Sequence, residues 1–132
     1  MKQHLALVSI VVADYDEALA WYTEKLGFTV VQNSDDTRQS AGRRWVVVRP
    51  AGSVGTGFLL AKASNEDQRR AIGNQTGGRV FLFLHTDDFN RDFRAYSSRG
   101  VTFVRGPAQE AYGKVAVFTD LYGNRWDLIE PA

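Results

Sequence analysis

An internal repeat constrains the fold of this chain more than any other feature of its sequence. After a first apolar run, a helix-like pattern starts at Asp14 and stops at Gly27. After a second apolar run, a similar pattern starts at Asp87 and stops at Gly100. Because the start and the stop lie 13 positions apart in both patterns, one offset of 73 superposes them. The chain of 132 residues is therefore expected to contain two tandem units with the same order of elements.

The spacing of apolar residues predicts one helix and four strands in each unit. The first unit has a strand within 5–13, a helix over 14–26 and strands over 28–31, 44–49 and 57–61. The second unit has a strand over 80–85, a helix over 87–99 and strands over 101–104, 114–118 and 125–129. The fold class that follows is α+β, with two tandem βαβββ modules. We place the modules at about 5–63 and about 79–130 of a single domain over 1–132.

Three polar segments lie between the predicted elements, and we expect each of them to be a loop: 33–43, 64–79 and 105–113. The first apolar run also resembles a short signal peptide. Because the repeat requires a strand at this place, we predict a strand. No segment approaches the ~20 apolar residues of a membrane-spanning helix, so we expect no membrane association and a cytoplasmic protein.

The composition excludes several classes of function. Sixteen Lys and Arg residues against fifteen Asp and Glu give a formal net charge of +1, without the basic surplus of a nucleic-acid-binding domain, so we expect no nucleic-acid partner. The chain has no cysteine, which excludes disulfides, a thiolate nucleophile and Cys-ligated metals. Its two histidines, His4 and His85, are the side chains that ordinarily titrate near neutral pH. Few groups therefore remain for chemistry.

Three stretches carry a likeness to a known family. They are VVADYDEA running on into WY and LGF, LHTDDF, and FTDLYGNRWDLIE, which read from Val11, Leu84 and Phe118 respectively. In these motifs and their order the chain resembles the vicinal oxygen chelate superfamily, which includes glyoxalase I, extradiol dioxygenases and bleomycin-resistance proteins. The resemblance implies that the two βαβββ modules form an eight-stranded cup-shaped sheet, and that the protein is a homodimer.

The resemblance also implies four positions at which the family holds a divalent metal. In this chain they are occupied by Leu7, Leu59, Phe81 (or Val80) and Asp127. Leu, Phe and Val have no ligating atom, and one carboxylate rarely holds a metal by itself. Because three of the four positions are apolar, we predict no cofactor and no metal site of the family type. Binding of a divalent metal through other residues stays open.

The residues that we expect to line a ligand pocket are Asp127, His85, Arg79, Phe81, Trp45, Glu110 and Tyr112. A buried carboxylate needs a partner, so Asp127 is expected to pair with His85 or Arg79. Such a pair would act as a base, hold a polar ligand group or only stabilise the sheet. Strand alternation leaves two arrangements open. Either Phe81 faces the cup together with Arg79, Phe83 and His85, or Val80 does so together with Leu82, Leu84 and Thr86.

Two functions are consistent with these features. The first is a glyoxalase/bleomycin-resistance-like protein that binds a small molecule in the cup without the usual metal. The second is a divergent glyoxalase-like lyase or dioxygenase-like enzyme with a site built around Asp127. Whether the chain catalyses a reaction, and on which substrate, does not follow from these residues.

Overall fold

The structure is a computed structural model that describes residues 1–35 and 42–132. In these ranges the chain has eight strands and three helices. They are β1 (Leu7–Val12), α1 (Tyr15–Glu24), β2 (Thr29–Asp35), β3 (Arg44–Arg49), β4 (Gly57–Lys62), α2 (Glu66–Ala71), β5 (Val80–His85), α3 (Phe89–Ser98), β6 (Thr102–Glu110), β7 (Gly113–Thr119) and β8 (Arg125–Pro131). No helix within the described ranges is long and apolar enough to span a membrane.

The chain divides into two compact units, Met1–Ile72 and Gly73–Ala132. The first unit has a four-stranded sheet in the order β1-β4-β3-β2, and the second has a sheet in the order β5-β8-β7-β6. In each sheet the first pair of strands is parallel and the other two pairs are antiparallel. Both units are βαβββ modules, which confirms the predicted α+β class, and the eight strands are divided between two sheets of four.

In the first unit, α1 covers one face of the sheet. Asp14, at the predicted start of the helix, is its N-cap, because its carboxylate accepts a hydrogen bond of 2.8 Å from the backbone N–H of Glu17. On the buried side of the helix, Tyr22 is fully buried and its ring lies 5.8 Å from that of Phe28. Phe28 in turn stacks on Phe58 of β4. This aromatic contact joins the helix to the sheet.

The second unit repeats this packing with larger aromatic residues. Asp88, one residue later than the predicted start, caps α3 by accepting from the backbone N–H of Arg91. Tyr96 of α3 packs edge-on against Phe118 of β7, and Phe118 stacks on Trp126 of β8 at 5.8 Å. Trp126 and its even-numbered neighbours on β8 therefore face the helix.

The predicted loop over 105–113 is wrong for most of its length, because β6 continues to Glu110. Gly106 and Pro107 suggested a turn, but they lie where the register with β7 shifts, between Arg105 and Ala108. An edge strand tolerates proline at such a bulge, since no ladder hydrogen bond is needed there. The strand therefore passes through a sequence that is typical of a loop.

The two other predicted loops also contain regular structure. The segment 64–79 includes α2, whose start is capped by Asn65 through a 2.8 Å hydrogen bond from the backbone N–H of Gln68. Residues 33–35 of the segment 33–43 belong to β2, while 36–41 lie outside the described residues. The N-terminal apolar run forms β1, as predicted.

Candidate functional site

The candidate site lies on the face of the second sheet that is opposite α3. Side chains alternate between the faces of a strand, so on β8 Trp126 and Leu128 face the helix while Asp127 and Ile129 face away from it. The face opposite the helix is lined along its centre by apolar residues, including Ile129 and Val117. Asp127 therefore lies among apolar neighbours, where a carboxylate loses part of its hydration.

The strand register places four side chains in one row across this face. Asp127 lies between Phe83 of β5 and Val117 of β7, and Arg105 of β6 lies beside Val117. Directly paired residues project to the same face of a sheet. Phe83 is 63% exposed, a high value for a large apolar side chain on a strand. We call Phe83, Asp127 and Arg105 the Asp127 row.

The environment of Asp127 changes its ionisation. Burial raises the pKa of the Asp127 carboxyl above its usual range, and the positive charge of Arg105 opposes part of this rise. A carboxyl with a raised pKa binds a proton more readily than an exposed one. The row can therefore offer an aromatic surface, a carboxyl group and a guanidinium to one ligand.

Two further predicted residues lie on the same face, in other rows. His85 pairs with Ile129, two residues along β8 from Asp127, and two residues in a strand span roughly 6.6 Å. Glu110 pairs with Gly113, which itself pairs with Pro131, so it lies at the far end of the sheet. These carboxylate and imidazole groups share a face with Asp127 but not a row.

The expected partner of Asp127 is not found. Within residues 1–35 and 42–132, no hydrogen bond or ion pair joins its carboxylate to His85 or to Arg79. His85 is displaced by two residues along the ladder, and Arg79 precedes β5. Arg105 is the cation that acts on the carboxylate instead.

The other predicted residues are distributed over both units. Phe83 and His85 face away from α3, since they pair with Asp127 and Ile129. Phe81 is half-buried and lies where the register between β5 and β8 shifts, so the alternation of side chains along β5 does not show which face it is on. Tyr112 is exposed in the turn between β6 and β7. Trp45 belongs to the first unit, where it lies half-buried on β3. Their roles in binding stay predictions.

Sequence reasoning missed Arg105 as a site residue. Arg105 falls within the segment that was predicted as a loop, and its place opposite Val117 depends on two register shifts in the hairpin. The usable signal was the short Ala111–Tyr112 turn before Gly113, since a hairpin closed there pairs the residues on either side. Phe83 was recognised as a residue of the strand but not as the exposed neighbour of Asp127.

The donor set does not fit the metal that the resemblance implies. Leu7 and Leu59 lie on the face of the first sheet opposite α1, and neither has a ligating atom. Asp127 has Phe83 and Val117 as its neighbours in the second sheet. No group of three or more His, Asp or Glu side chains that could hold a metal occurs in the part of the chain that the structure describes.

The Asp-x-x-Gly-Asn motif before β8 has a structural role. Asp120 is buried and accepts hydrogen bonds from the backbone N–H groups of Tyr122, Gly123 and Asn124, and one from the side-chain amide of Asn124. These bonds close the turn between β7 and β8 and fix where β8 begins. The motif therefore positions Asp127 without belonging to the site.

Comparison of the sequence with known proteins identifies the family to which the chain belongs. Residues 3–128 match the model of the Glyoxalase/Bleomycin resistance protein/Dioxygenase superfamily. The chain belongs to this superfamily. An uncharacterised protein of Shewanella frigidimarina is 52% identical to it over 98% of this chain and 95% of that protein.

Two solved structures also resemble the chain over nearly its whole length. UcmS2 is 31% identical, with a TM-score of 0.83 over 98% of this chain and 99% of that one. TnmS3 from Streptomyces sp. CB03234, described as an antibiotic binding protein, is 28% identical, with a TM-score of 0.77 over 99% and 98%. The two-module superfamily fold is thus shown, while the homodimer and the cytoplasmic location stay predictions.

Proposed function

We propose that this superfamily member binds a small aromatic molecule on the Asp127 row, without a metal and without converting the molecule. The observation that carries the proposal is the exposed Phe83 ring beside a half-buried carboxylate, with the Arg105 guanidinium in the same row beyond Val117. Aromatic rings that pack on a ligand favour stacked or edge-on contacts worth about 0.5–1.5 kcal/mol beyond the area they bury. Phe83 would contact the ring of the ligand in this way.

The polar groups of the row would fix the orientation of the ligand. The Asp127 carboxyl can accept a hydrogen bond from a hydroxyl group, and Arg105 can donate to an oxygen. Ligand sites typically combine an apolar lining with a few such groups. The description of TnmS3 as an antibiotic binding protein supports binding rather than turnover for this chain as well.

A second candidate function is an enzyme in which Asp127 transfers a proton. The observation in its favour is the raised pKa of the Asp127 carboxyl, which brings the group closer to the range of a general acid or base. The row holds no nucleophile, and its other ionisable group, the Arg105 guanidinium, stays protonated and cannot exchange a proton with the carboxyl, which is why we rank binding first.

The test uses 2-naphthol as an aromatic probe with one hydroxyl group and 2-methoxynaphthalene as a probe without the donor. Isothermal titration calorimetry of the full chain should show 2-naphthol binding that Phe83→Ala and Asp127→Asn each weaken at least about tenfold, since each removes a contact worth on the order of 1.4 kcal/mol. The methoxy probe should bind more weakly than 2-naphthol to the unsubstituted protein.

Val54→Ala is the matched control, because Val54 is 93% exposed in a turn of the first unit. This variant should bind 2-naphthol as the unsubstituted protein does. If neither probe binds, or if all three variants behave alike, the proposal is wrong. Chemical conversion of the recovered probe, detected by mass spectrometry and lost in Asp127→Asn, would favour the enzyme instead.

A further inference from the structure

A second candidate binding site lies in the first unit, where β3 and β4 separate. The register between these strands ends at Val47 and Leu59. Beyond this point β3 continues to Arg44 alongside β2, and β4 continues to Lys62 alongside β1. Each strand is therefore held by its outer neighbour, and the sheet is split between them.

Two side chains bridge the split where backbone hydrogen bonds would otherwise run. The Arg43 guanidinium donates a hydrogen bond of 2.8 Å from Nη1 to the carbonyl oxygen of Lys62. The hydroxyl oxygen of Tyr15, at the start of α1, accepts a hydrogen bond of 3.2 Å from the backbone N–H of Arg44. These contacts give two backbone groups at the split the hydrogen-bond partners that a neighbouring strand would otherwise provide.

The split forms a cavity of about 110 Å³. It is lined by the guanidinium and hydroxyl groups just described and by Trp45, Leu59 and Ala61. The volume is on the order of four times the share of one water molecule in the liquid. It therefore accommodates a carboxylate with part of a ring rather than a whole multi-ring compound.

The Tyr15 oxygen accepts from the backbone N–H of Arg44, which leaves its own O–H free to donate to another group, and no acceptor among the described residues receives that proton. Tyr15 is only 5% exposed, which makes an unsatisfied donor costly. Arg43 uses one of its five N–H groups on Lys62.

Among the described residues, the charges at the cavity are also unbalanced. Arg44 is compensated by Asp16, with which it forms an ion pair of 2.9 Å. Arg43 and Lys62 have no ion pair with a carboxylate in the described ranges. Two positive charges and a buried hydroxyl donor favour a ligand group that is anionic and accepts hydrogen bonds.

We propose that this cavity binds the carboxylate of a small aromatic acid. The O–H of Tyr15 and the guanidinium of Arg43 donate to the two carboxylate oxygens, and the ring packs against Trp45 and Leu59. This site lies within the first unit and does not depend on the Asp127 row.

The experiment compares benzoate with benzamide, which has the same ring but no negative charge. In isothermal titration calorimetry the full chain should bind benzoate, and benzamide at least about tenfold more weakly. Arg43→Gln should weaken benzoate binding at least about tenfold, and Tyr15→Phe several-fold. Arg49→Gln is the control, because Arg49 lies at the far end of β3, the strand that follows Arg43, and does not line the cavity.

Circular dichroism checks that each variant is folded. If Tyr15→Phe unfolds, the comparison of Arg43→Gln with Arg49→Gln decides the question. The proposal is overturned if benzoate does not bind, if benzamide binds equally well, or if both arginine variants behave alike. Phe83→Ala should leave benzoate affinity unchanged, so a loss in that variant alone would place benzoate in the second unit and exclude this site.

Discussion

At the scale of single residues, the ionisation of Asp127 depends on two opposing neighbours. Burial raises the pKa of its carboxyl, and Arg105 lowers it in part. In Arg105→Gln the opposing charge is removed, so we expect a higher pKa for Asp127. Carboxyl carbon NMR titration measures this pKa directly. Arg94→Gln, on α3 and outside the row, should leave it unchanged, and an unchanged pKa in Arg105→Gln would contradict the assignment.

The same shift makes stability depend on pH. Because the pKa of Asp127 is higher in the folded protein than in the unfolded chain, its contribution to stability is fully present below the unfolded-state pKa and is lost as the pH rises through the folded-state pKa. Asp127→Asn should therefore raise the free energy of unfolding at pH 7, by at most about 1 kcal/mol for a partly exposed group. The gain should disappear in acid, as urea titrations at both pH values will show.

At the scale of elements, a glycine fixes the approach of the segment before β5 to the turn before β8. A Cβ atom on Gly73 would lie 1.8 Å from the carbonyl oxygen of Tyr122, and the residue has a φ of +74°. Gly77 has a similar φ of +70° but no atom within 4 Å of that position. Both glycines therefore adopt a left-handed backbone conformation, but only at Gly73 would an added Cβ atom clash with a neighbouring residue.

This pair separates backbone strain from close packing. Gly77→Ala should cost about 1 kcal/mol of unfolding free energy, the usual penalty of a left-handed conformation for a residue with a Cβ. Gly73→Ala should cost at least about 2 kcal/mol more, since the backbone must also shift. Urea unfolding of both variants measures the difference. Equal costs would show that the segment moves freely away from Tyr122.

At the scale of the whole molecule, stability should not depend on a metal. Three of the four family positions hold Leu7, Leu59 and Phe81 (or Val80). A metal that bound only the folded state would stabilise it, and the stabilisation would grow with the logarithm of the metal concentration. Chelator treatment followed by urea unfolding should therefore leave the midpoint unchanged. A midpoint that falls with chelator and recovers with added zinc, nickel or iron would show a site built from other residues.

The sequence by itself determined the two βαβββ modules. Their signals are local: period-two and period-3.6 patterns of apolar residues, a capping Asp14, and glycines that end each helix. The spacing of 73 residues between Leu7 and Val80, where β1 and β5 begin, follows from the same repeat. Helices and strands of this kind form through interactions between residues that are close in sequence, so the sequence alone is enough to predict them.

Only the tertiary structure decided which side chains meet. Arg105 reaches the row of Asp127 because β6 passes through two register shifts, and His85 misses it because it pairs with Ile129. The cavity beside Tyr15 exists because β3 and β4 separate after two paired positions. Each shift of one residue moves a side chain to another row or face, and where a shift falls depends on how two strands pair in the folded sheet, which the apolar pattern of one strand alone does not encode.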